Sequence, residues 1–396
     1  MPRPRLRPRA IVQIVRGLSR SGGISGVAFE LAAEFRRRGH PVENVCLYPP
    51  EQAEGIDLGE VSRCPRLAAL CRAIPWRHLR LMVEVPLFTL IATRSARQRH
   101  AALVIVHGDG CAGDLFVAHS CHRAAIAAKI AARRWAWALW PLHAYLLLRE
   151  LLIVGRGFRF IVGVSREVAR QFRHFHRIPP ERIVSIVNGV DRDRFHPAAS
   201  KPEARLTLGL PAEATILLFV GHQFATKGLG IILEGLARCG TAADPLLLVI
   251  GDDRPGPYRA RAARLGIAGR VHFLGRQSEI ERYYQAADLL VLLSEYEALG
   301  LVGLEALSCG VPVMATRTGG ITEYLQDGVN GVFVERSAAA VGERLGRLLA
   351  NEEERRRLAE AARPSTRPFA WSVIADEYLR LGERIAGADR EARGER

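Results

Sequence analysis

Two glutamates, Glu297 and Glu305, stand with seven residues between them in the segment SEYEALGLVGLEALSCG (294–310), directly after the apolar run ADLLVLLS. Carboxylates so placed can accept hydrogen bonds from sugar or ribose hydroxyls, or can act as an acid and nucleophile pair on a glycosidic bond. The unbroken apolar run reads as a buried strand, and the residues after Gly300 read as a helix start. Glu297 then falls in the strand-to-helix loop, and Glu305 about one turn up the helix. The first amides of that helix, at Gly300, Leu301 and Val302, have no intrahelical acceptor and favour an anion such as a diphosphate. A glycosidase pair would need no such amides.

A second segment, FVGHQFATKG (219–228), ends a strand at Gly221 and places Lys227 just before Gly228 and a following helix. A lysine there can set its ammonium on phosphate oxygens. It is one of only three lysines, with Lys129 and Lys201, in a chain that otherwise uses arginine for positive charge. Near the start, SGGISG (21–26) resembles a phosphate loop. Gly22 and Gly23 let backbone approach a ligand, and a helix N-terminus follows. It is not GxGxxG, and no acidic residue clearly takes the ribose-binding place, so a nicotinamide-dependent oxidoreductase lacks its fingerprint.

The elements that carry these segments alternate. IVQIV (11–15), ALVIVHGD (102–109), RFIVGVS (159–165) and ERIVSIVNGVD (181–191) read as strands in the first half. TILLFVG, PLLLVIGDD, RVHFLG, ADLLVLLS, VPVMAT and GVFV repeat the scheme in the second, with amphipathic stretches between them. Continuous apolar strands alternating with helices predict parallel sheets covered on both faces. At ~150 residues per domain the chain makes two domains: two doubly wound α/β units facing a cleft, with ligands at the carboxyl ends of the strands. The expected bounds are 1–195 and 205–370, with the polar, proline-bearing PAASKPEARLTLGLPAEA (197–214) as the connection. A last helix from about Trp371 to 386 returns to the first domain.

The 396 residues are 48% hydrophobic and carry a net charge of +15, which favours anionic partners such as nucleic acid, acidic membrane or phosphorylated ligands. No interleaving of basic and aromatic residues of the kind that stacks bases is present, so nucleic acid ranks last. The seven cysteines form no CxxC pair or zinc-ligand spacing, which points to a reducing compartment. LMVEVPLFTLIAT (81–93) and WAWALWPLHAYLLL (135–148) both fall short of the ~20 residues of a spanning helix. The second, with three tryptophans and basic residues before it, suits either a helix on an anionic membrane surface or a buried helix of the first domain.

Over nearly its whole length the sequence resembles the retaining family 4 glycosyltransferases of the two-Rossmann-domain (GT-B) type. SGGISGVAFELAAEFRRRGH, VNGVDRDRFHP, FVGHQFATKG and the E-x7-E segment EALGLVGLE carry the likeness, and 250–313 is most similar to lipopolysaccharide-core heptose glucosyltransferases. The resemblance implies that Glu297 contacts donor-sugar hydroxyls and Glu305 the nucleotide ribose. Lys227 and the amides of Gly300, Leu301 and Val302 would hold the diphosphate, with Gly22 and Gly23 closing on it from the first domain. His119, in FVAHSCH (116–122), aligns with an active-site histidine, with His122 as the fallback; the heptose-glucosylating branch tends to have aspartate there. The arginine that the family usually places beside the diphosphate is absent. Its places hold His222, just after Gly221, and Thr226.

The resemblance further implies a nucleotide-sugar donor (UDP-sugar favoured), a glycan or glycolipid acceptor, front-side attack without an enzymic nucleophile, and no metal or other cofactor. Asp191-Arg192-Asp193 spells DxD, but inside a segment that the family uses without metal. A cytoplasmic location, peripheral on the inner face of the membrane, is expected. The alternatives are a GDP-mannose-dependent mannosyltransferase and a non-catalytic glycan- or membrane-binding relative.

Overall fold

The structure is a computed structural model that describes residues 10–20, 22–99, 101–131, 141–155, 157–240 and 244–392. The chain divides into two compact units. The first takes in residues up to Gly189 and from Trp371 onward; the second is Val190–Ala370.

The first unit is built on a parallel sheet of β1 (Ile11–Ile14), β2 (Val42–Cys46), β3 (Glu60–Arg63), β4 (Leu103–His107), β5 (Leu115–Ala118), β6 (Phe160–Gly163) and β7 (Ile183–Ser185). Their spatial order is β3-β2-β1-β4-β5-β6-β7. The second carries β8 (Ile216–Val220), β9 (Leu246–Ile250), β10 (Val271–Gly275), β11 (Leu289–Leu292), β12 (Val313–Ala315) and β13 (Gly331–Phe333), ordered β10-β9-β8-β11-β12-β13 and again parallel. In each sheet the order reverses once, between β1 and β4 and between β8 and β11. At such a reversal the loops leaving neighbouring strands part, and their carboxyl ends open a crevice. The inner strands are apolar on both faces because helices cover both faces: every residue of β4 and β11 is buried.

The segment 197–214, expected as the connection, belongs to the second unit. Lys201–Thr207 is a helix, with Ser200 as its N-cap and Pro202 in its first turn, where a missing N–H costs little. The Arg205 guanidinium takes both oxygens of Asp288 at 2.7 Å, and Lys201 donates to the Ala287 carbonyl at 2.7 Å. The chain crosses between units at Gly189 and Val190. Val190 then pairs with Ala370, and its N–H donates to the Phe369 carbonyl at 2.8 Å, so the two ends of the second unit lie side by side. The long strand expected over 181–191 shrinks to β7, because a 3-10 turn at Pro180–Arg182 precedes it.

LMVEVPLFTLIAT lies within a 22-residue helix, Arg77–Gln98, that keeps Pro86 inside it. Of the 135–148 stretch, residues 135–140 lie outside the described residues. The rest opens the helix Pro141–Gly155, which exposes Leu148, Leu151 and Leu152 and buries Ile153. Among the described residues no helix is long and apolar enough to cross a membrane.

Candidate functional site

The second unit gathers its predicted residues at the β8/β11 reversal. Gly221 follows β8, and the aliphatic stem of Lys227 lies over it: a Cβ on Gly221 would meet Lys227 Cγ at 3.3 Å. Glu297 sits in the loop after β11. The Lys227 ammonium donates to Glu297 Oε2, and the Ser294 hydroxyl donates to the same oxygen at 3.1 Å. The two residues assigned to different parts of a donor, phosphate and sugar, are thus paired with each other. Both are largely buried, with side chains 21% and 13% exposed, so the pair is shielded from solvent.

The helix after that loop runs Leu301–Ser308, with Gly300 as its N-cap in a left-handed conformation (φ +84°). A Cβ at Gly300 would meet the Tyr324 hydroxyl at 2.9 Å and Glu297 Cγ at 3.1 Å, so glycine is required on two counts. Tyr324 donates to the Gly300 carbonyl at 2.9 Å and fixes the start of the helix. Leu301 and Val302, in the first turn, carry amides without intrahelical acceptors. Glu305 is half-buried and accepts from the Tyr284 hydroxyl at 2.7 Å. Burial pushes its carboxyl above the usual range, while the Tyr284 hydrogen bond and Arg194 oppose that shift.

Three supports of this site escaped sequence reasoning. Tyr284 and Tyr324 are buried tyrosines, each raised well above the ordinary value by burial, and Tyr324 feels the charges of both Glu297 and Glu305. The third is the glycine pair after β12. A Cβ at Gly319 would lie 1.7 Å from the Glu297 carbonyl oxygen, and the Gly320 N–H donates to that oxygen at 3.2 Å. The signal was present as TGG directly after an apolar strand.

His222 pairs with Asp252 through Nδ1 and is well exposed. Phosphate contact by His222 therefore requires it to leave that carboxylate. Asp253 accepts from the Phe224 N–H at 2.7 Å, and Gln223 adopts a left-handed conformation (φ +57°) in the same tight loop. Asp191 of the DxD triplet accepts from the amides of Asp193 and Arg194, a turn-closing role.

The other predicted residues lie in the first unit. Gly22 (φ +140°) is the N-cap of the helix Gly23–Arg37 after β1. His119 follows β5, with its ring 5.7 Å from that of His107. Burial lowers it to about 4, against an opposing pull from Asp109, so its imidazole is neutral near pH 7. Its Nε2 is buried and has no hydrogen-bond partner among the described residues. His122 Nε2 faces His143 Nδ1 at 3.0 Å, and burial lowers His122 to about 4 as well.

Residues 21–194 match the model of Glycosyltransferase Family 4, and residues 200–365 match that of Glycosyl transferases group 1. The chain belongs to the GT-B glycosyltransferases. The D-inositol 3-phosphate glycosyltransferase of Geodermatophilus obscurus is 34% identical over 265 residues, which are 62% of this chain and 58% of that protein. The chain thus spans little more than half the length of such curated relatives. Among solved structures, WaaG, a glycosyltransferase involved in lipopolysaccharide biosynthesis, superposes with a TM-score of 0.76 at 22% identity, over 93% of this chain and 98% of that one. HepE from Anabaena, in complex with UDP-glucose, gives 0.68 at 19% identity, over 96% and 100%. At these identities the two structures establish the GT-B fold.

One cluster in the first half of this GT-B chain has the side chains of a metal site. Cys121, Glu150 and His176 bring their ligand atoms within 4.8 Å of one another. Glu150 is already engaged: it accepts from the amides of His122 and Arg123 at the start of the helix His122–Ala131, and from His176 Nε2 at 3.0 Å. Burial raises the Cys121 thiol to about 12, which keeps it protonated. The cluster reads as a hydrogen-bonded helix cap.

Proposed function

We propose that this protein is a retaining, metal-independent hexosyltransferase. It moves a hexose from a nucleotide-diphosphate sugar, with UDP-sugar favoured, to a hydroxyl of a cell-envelope glycan or glycolipid. The observation that carries this reading is the convergence of Lys227, Glu297 and the Gly300 helix start at the β8/β11 reversal. A cation and a helix N-terminus suit a diphosphate, and a carboxylate beside them suits sugar hydroxyls.

Donor entry exchanges partners. Lys227 leaves Glu297 for the phosphates, and Glu297 turns to the sugar hydroxyls. As the bond between the anomeric carbon and the diphosphate oxygen breaks, Lys227 and the amides of Leu301 and Val302 stabilise the growing charge. The acceptor oxygen bonds to the anomeric carbon on the same face, and its proton passes to the departing diphosphate. Glu305, held by Tyr284, takes the ribose. The family resemblance assigns Gly22 and Gly23 to the diphosphate and neutral His119 to the sugar. His222 adds charge beside the diphosphate once free of Asp252. The acceptor is reached at the inner face of the cytoplasmic membrane.

The UDP-glucose bound by HepE supports the donor assignment, and the involvement of WaaG in lipopolysaccharide biosynthesis supports an envelope acceptor. A second reading, a small phosphorylated polyol as acceptor, is supported by the curated relatives, whose names specify D-inositol 3-phosphate. Thermal-shift screening of UDP-, GDP- and ADP-sugars, followed by donor hydrolysis, tests the reading. Stabilisation by a UDP-sugar is expected; stabilisation by GDP-mannose alone moves the donor to the mannosyltransferase alternative. If no nucleotide-sugar stabilises the protein, the transferase reading fails. Glu297→Ala is expected to abolish turnover while the protein still folds.

A further inference from the structure

Polar side chains cross one face of the first unit's sheet. Gln13 of β1 stands opposite Asn44 of β2 and Ile105 of β4, and His107 of β4 stands opposite Val117 of β5. His107 lies two residues beyond Ile105, and His119 two beyond Val117. Alternation along the strands therefore puts Asn44, Gln13, His107 and His119 on the same side, with the two imidazole centroids 5.7 Å apart. Asn44, Gln13 and His107 are wholly buried, and β1 and β4 are otherwise apolar.

This row is a hydrogen-bond chain whose direction is fixed, because the backbone carbonyls at its far end only accept. The Asn44 amide nitrogen donates to the Leu58 carbonyl at 2.7 Å, which leaves its oxygen for Gln13. The Gln13 amide nitrogen donates to that oxygen at 3.4 Å and to the Ala28 carbonyl at 3.1 Å. Both Gln13 hydrogens are then used, so its oxygen accepts from His107 Nε2, 2.9 Å away. Burial keeps His107 neutral. Its one proton is thus on Nε2, and Nδ1 carries a bare lone pair. That Nδ1 is buried without a partner among the described residues, and so is His119 Nε2. A buried chain left unfinished is costly, and one more donor completes it. Asp109, whose charge reaches His119, is already engaged: its two oxygens accept from Arg16 at 2.5 Å and Arg149 at 2.8 Å. His119 is partly exposed although its Nε2 is buried, so its open edge is a different one.

We propose that His107 sets the tautomer of His119. His119 carries its proton on Nε2 and donates it to His107 Nδ1, which leaves His119 Nδ1 to accept from a hydroxyl of the donor sugar. An N–H···N bond between imidazoles sets their centroids about 5 Å apart, so a shift of roughly half an ångström closes it. His107 touches no substrate and is a positioning residue. The inference rests on the sugar contact that the resemblance gives His119, but the hydrogen bond needs no nucleotide-sugar and is measured without one.

Nuclear magnetic resonance of the full chain, labelled with nitrogen-15 at its histidines and held near pH 7, tests the bond. A protonated Nε2 and an unprotonated Nδ1 are expected on His119, with a scalar coupling between His119 Nε2 and His107 Nδ1 across the hydrogen bond. His107→Leu should abolish the coupling and let His119 populate both tautomers. His107→Asn, whose side-chain oxygen stands near the place of Nδ1, should hold the proton of His119 on Nε2. Sugar transfer should fall about tenfold in His107→Leu and recover in part in His107→Asn, with nucleotide-sugar affinity unchanged in both. A structural role alone would lower stability and leave the tautomer of His119 as it is. An Nε2 without a proton, a protonated Nε2 without the coupling, or one and the same tautomer in the parent and in His107→Leu overturns the proposal. The parental spectrum decides the first two even if the variants fail to fold. If the coupling is present and no sugar is transferred, the hydrogen bond stands and the transferase reading fails.

Discussion

Gly319→Ala probes how tightly the loop after β12 is held against the backbone of Glu297. Gly319 has φ +55°, and an added Cβ would lie 1.7 Å from the Glu297 carbonyl oxygen and 2.8 Å from its carbon. Both obstructing atoms are backbone, so no side-chain rotation relieves the clash. The left-handed conformation costs an alanine about 1–2 kcal/mol. A loss of freedom in the unfolded chain returns about 0.4–1 kcal/mol. Forcing two backbone segments apart adds about 1–3 kcal/mol. The net loss is about 2–4 kcal/mol, a fall in melting temperature of roughly 5–15 °C for a unit of this size. Gly328 is the control, because it has φ +71° and nothing within 4 Å of its added Cβ. Gly328→Ala bears only the conformational cost, about 1 kcal/mol. Thermal and urea unfolding of the two variants make the comparison, with a nucleotide-sugar thermal shift to follow the site. Because the Gly319 loop backs Glu297, Gly319→Ala should also weaken the donor response. Equal destabilisation by the two substitutions refutes the packing argument.

Lys227→Met should weaken nucleotide-sugar binding about 10- to 100-fold, measured by calorimetric titration. Adding Glu297→Gln should recover stability lost in Lys227→Met, because the first change leaves the Glu297 carboxylate buried without its cation. Glu305 binds its proton more tightly folded than unfolded, so stability should decline as pH rises above the ordinary carboxylate range. Glu305→Gln should flatten that part of a plot of urea midpoint against pH. His119 has the opposite sign: its folded value of about 4 lies below the ordinary value of 6.5, so the unfolded chain binds more protons between them. Stability should therefore fall as pH drops from 6.5 towards 4, and His119→Asn should reduce the fall in the same plot.

The strands of both sheets were legible because their burial on two faces leaves unbroken apolar runs such as ILLFV and LLVL. Gly300 was legible as the helix start because small and apolar residues follow it. The partnership of Lys227 and Glu297 was not, since two residues 70 positions apart meet only through the order of β8 and β11. Tyr284 and Tyr324 looked like ordinary core residues, and only their hydroxyl contacts mark them as supports of the site. Residues 197–214 misled because prolines and polar side chains describe a helix start as well as a linker.

The hydrogen bond from Val190 to Phe369 gives the second unit the form of a cassette. Its first and last residues are neighbours, so cutting the chain at Gly189 and Trp371 opens two ends that a short bridge can rejoin. Another glycosyltransferase's donor half, trimmed at the equivalent pair, needs only two adjacent junctions to be spliced into this chain. Under the proposed function, acceptor choice and donor choice then become parts that can be exchanged one at a time, and a chimaera that keeps residues 10–189 with the final helix keeps the first unit whole.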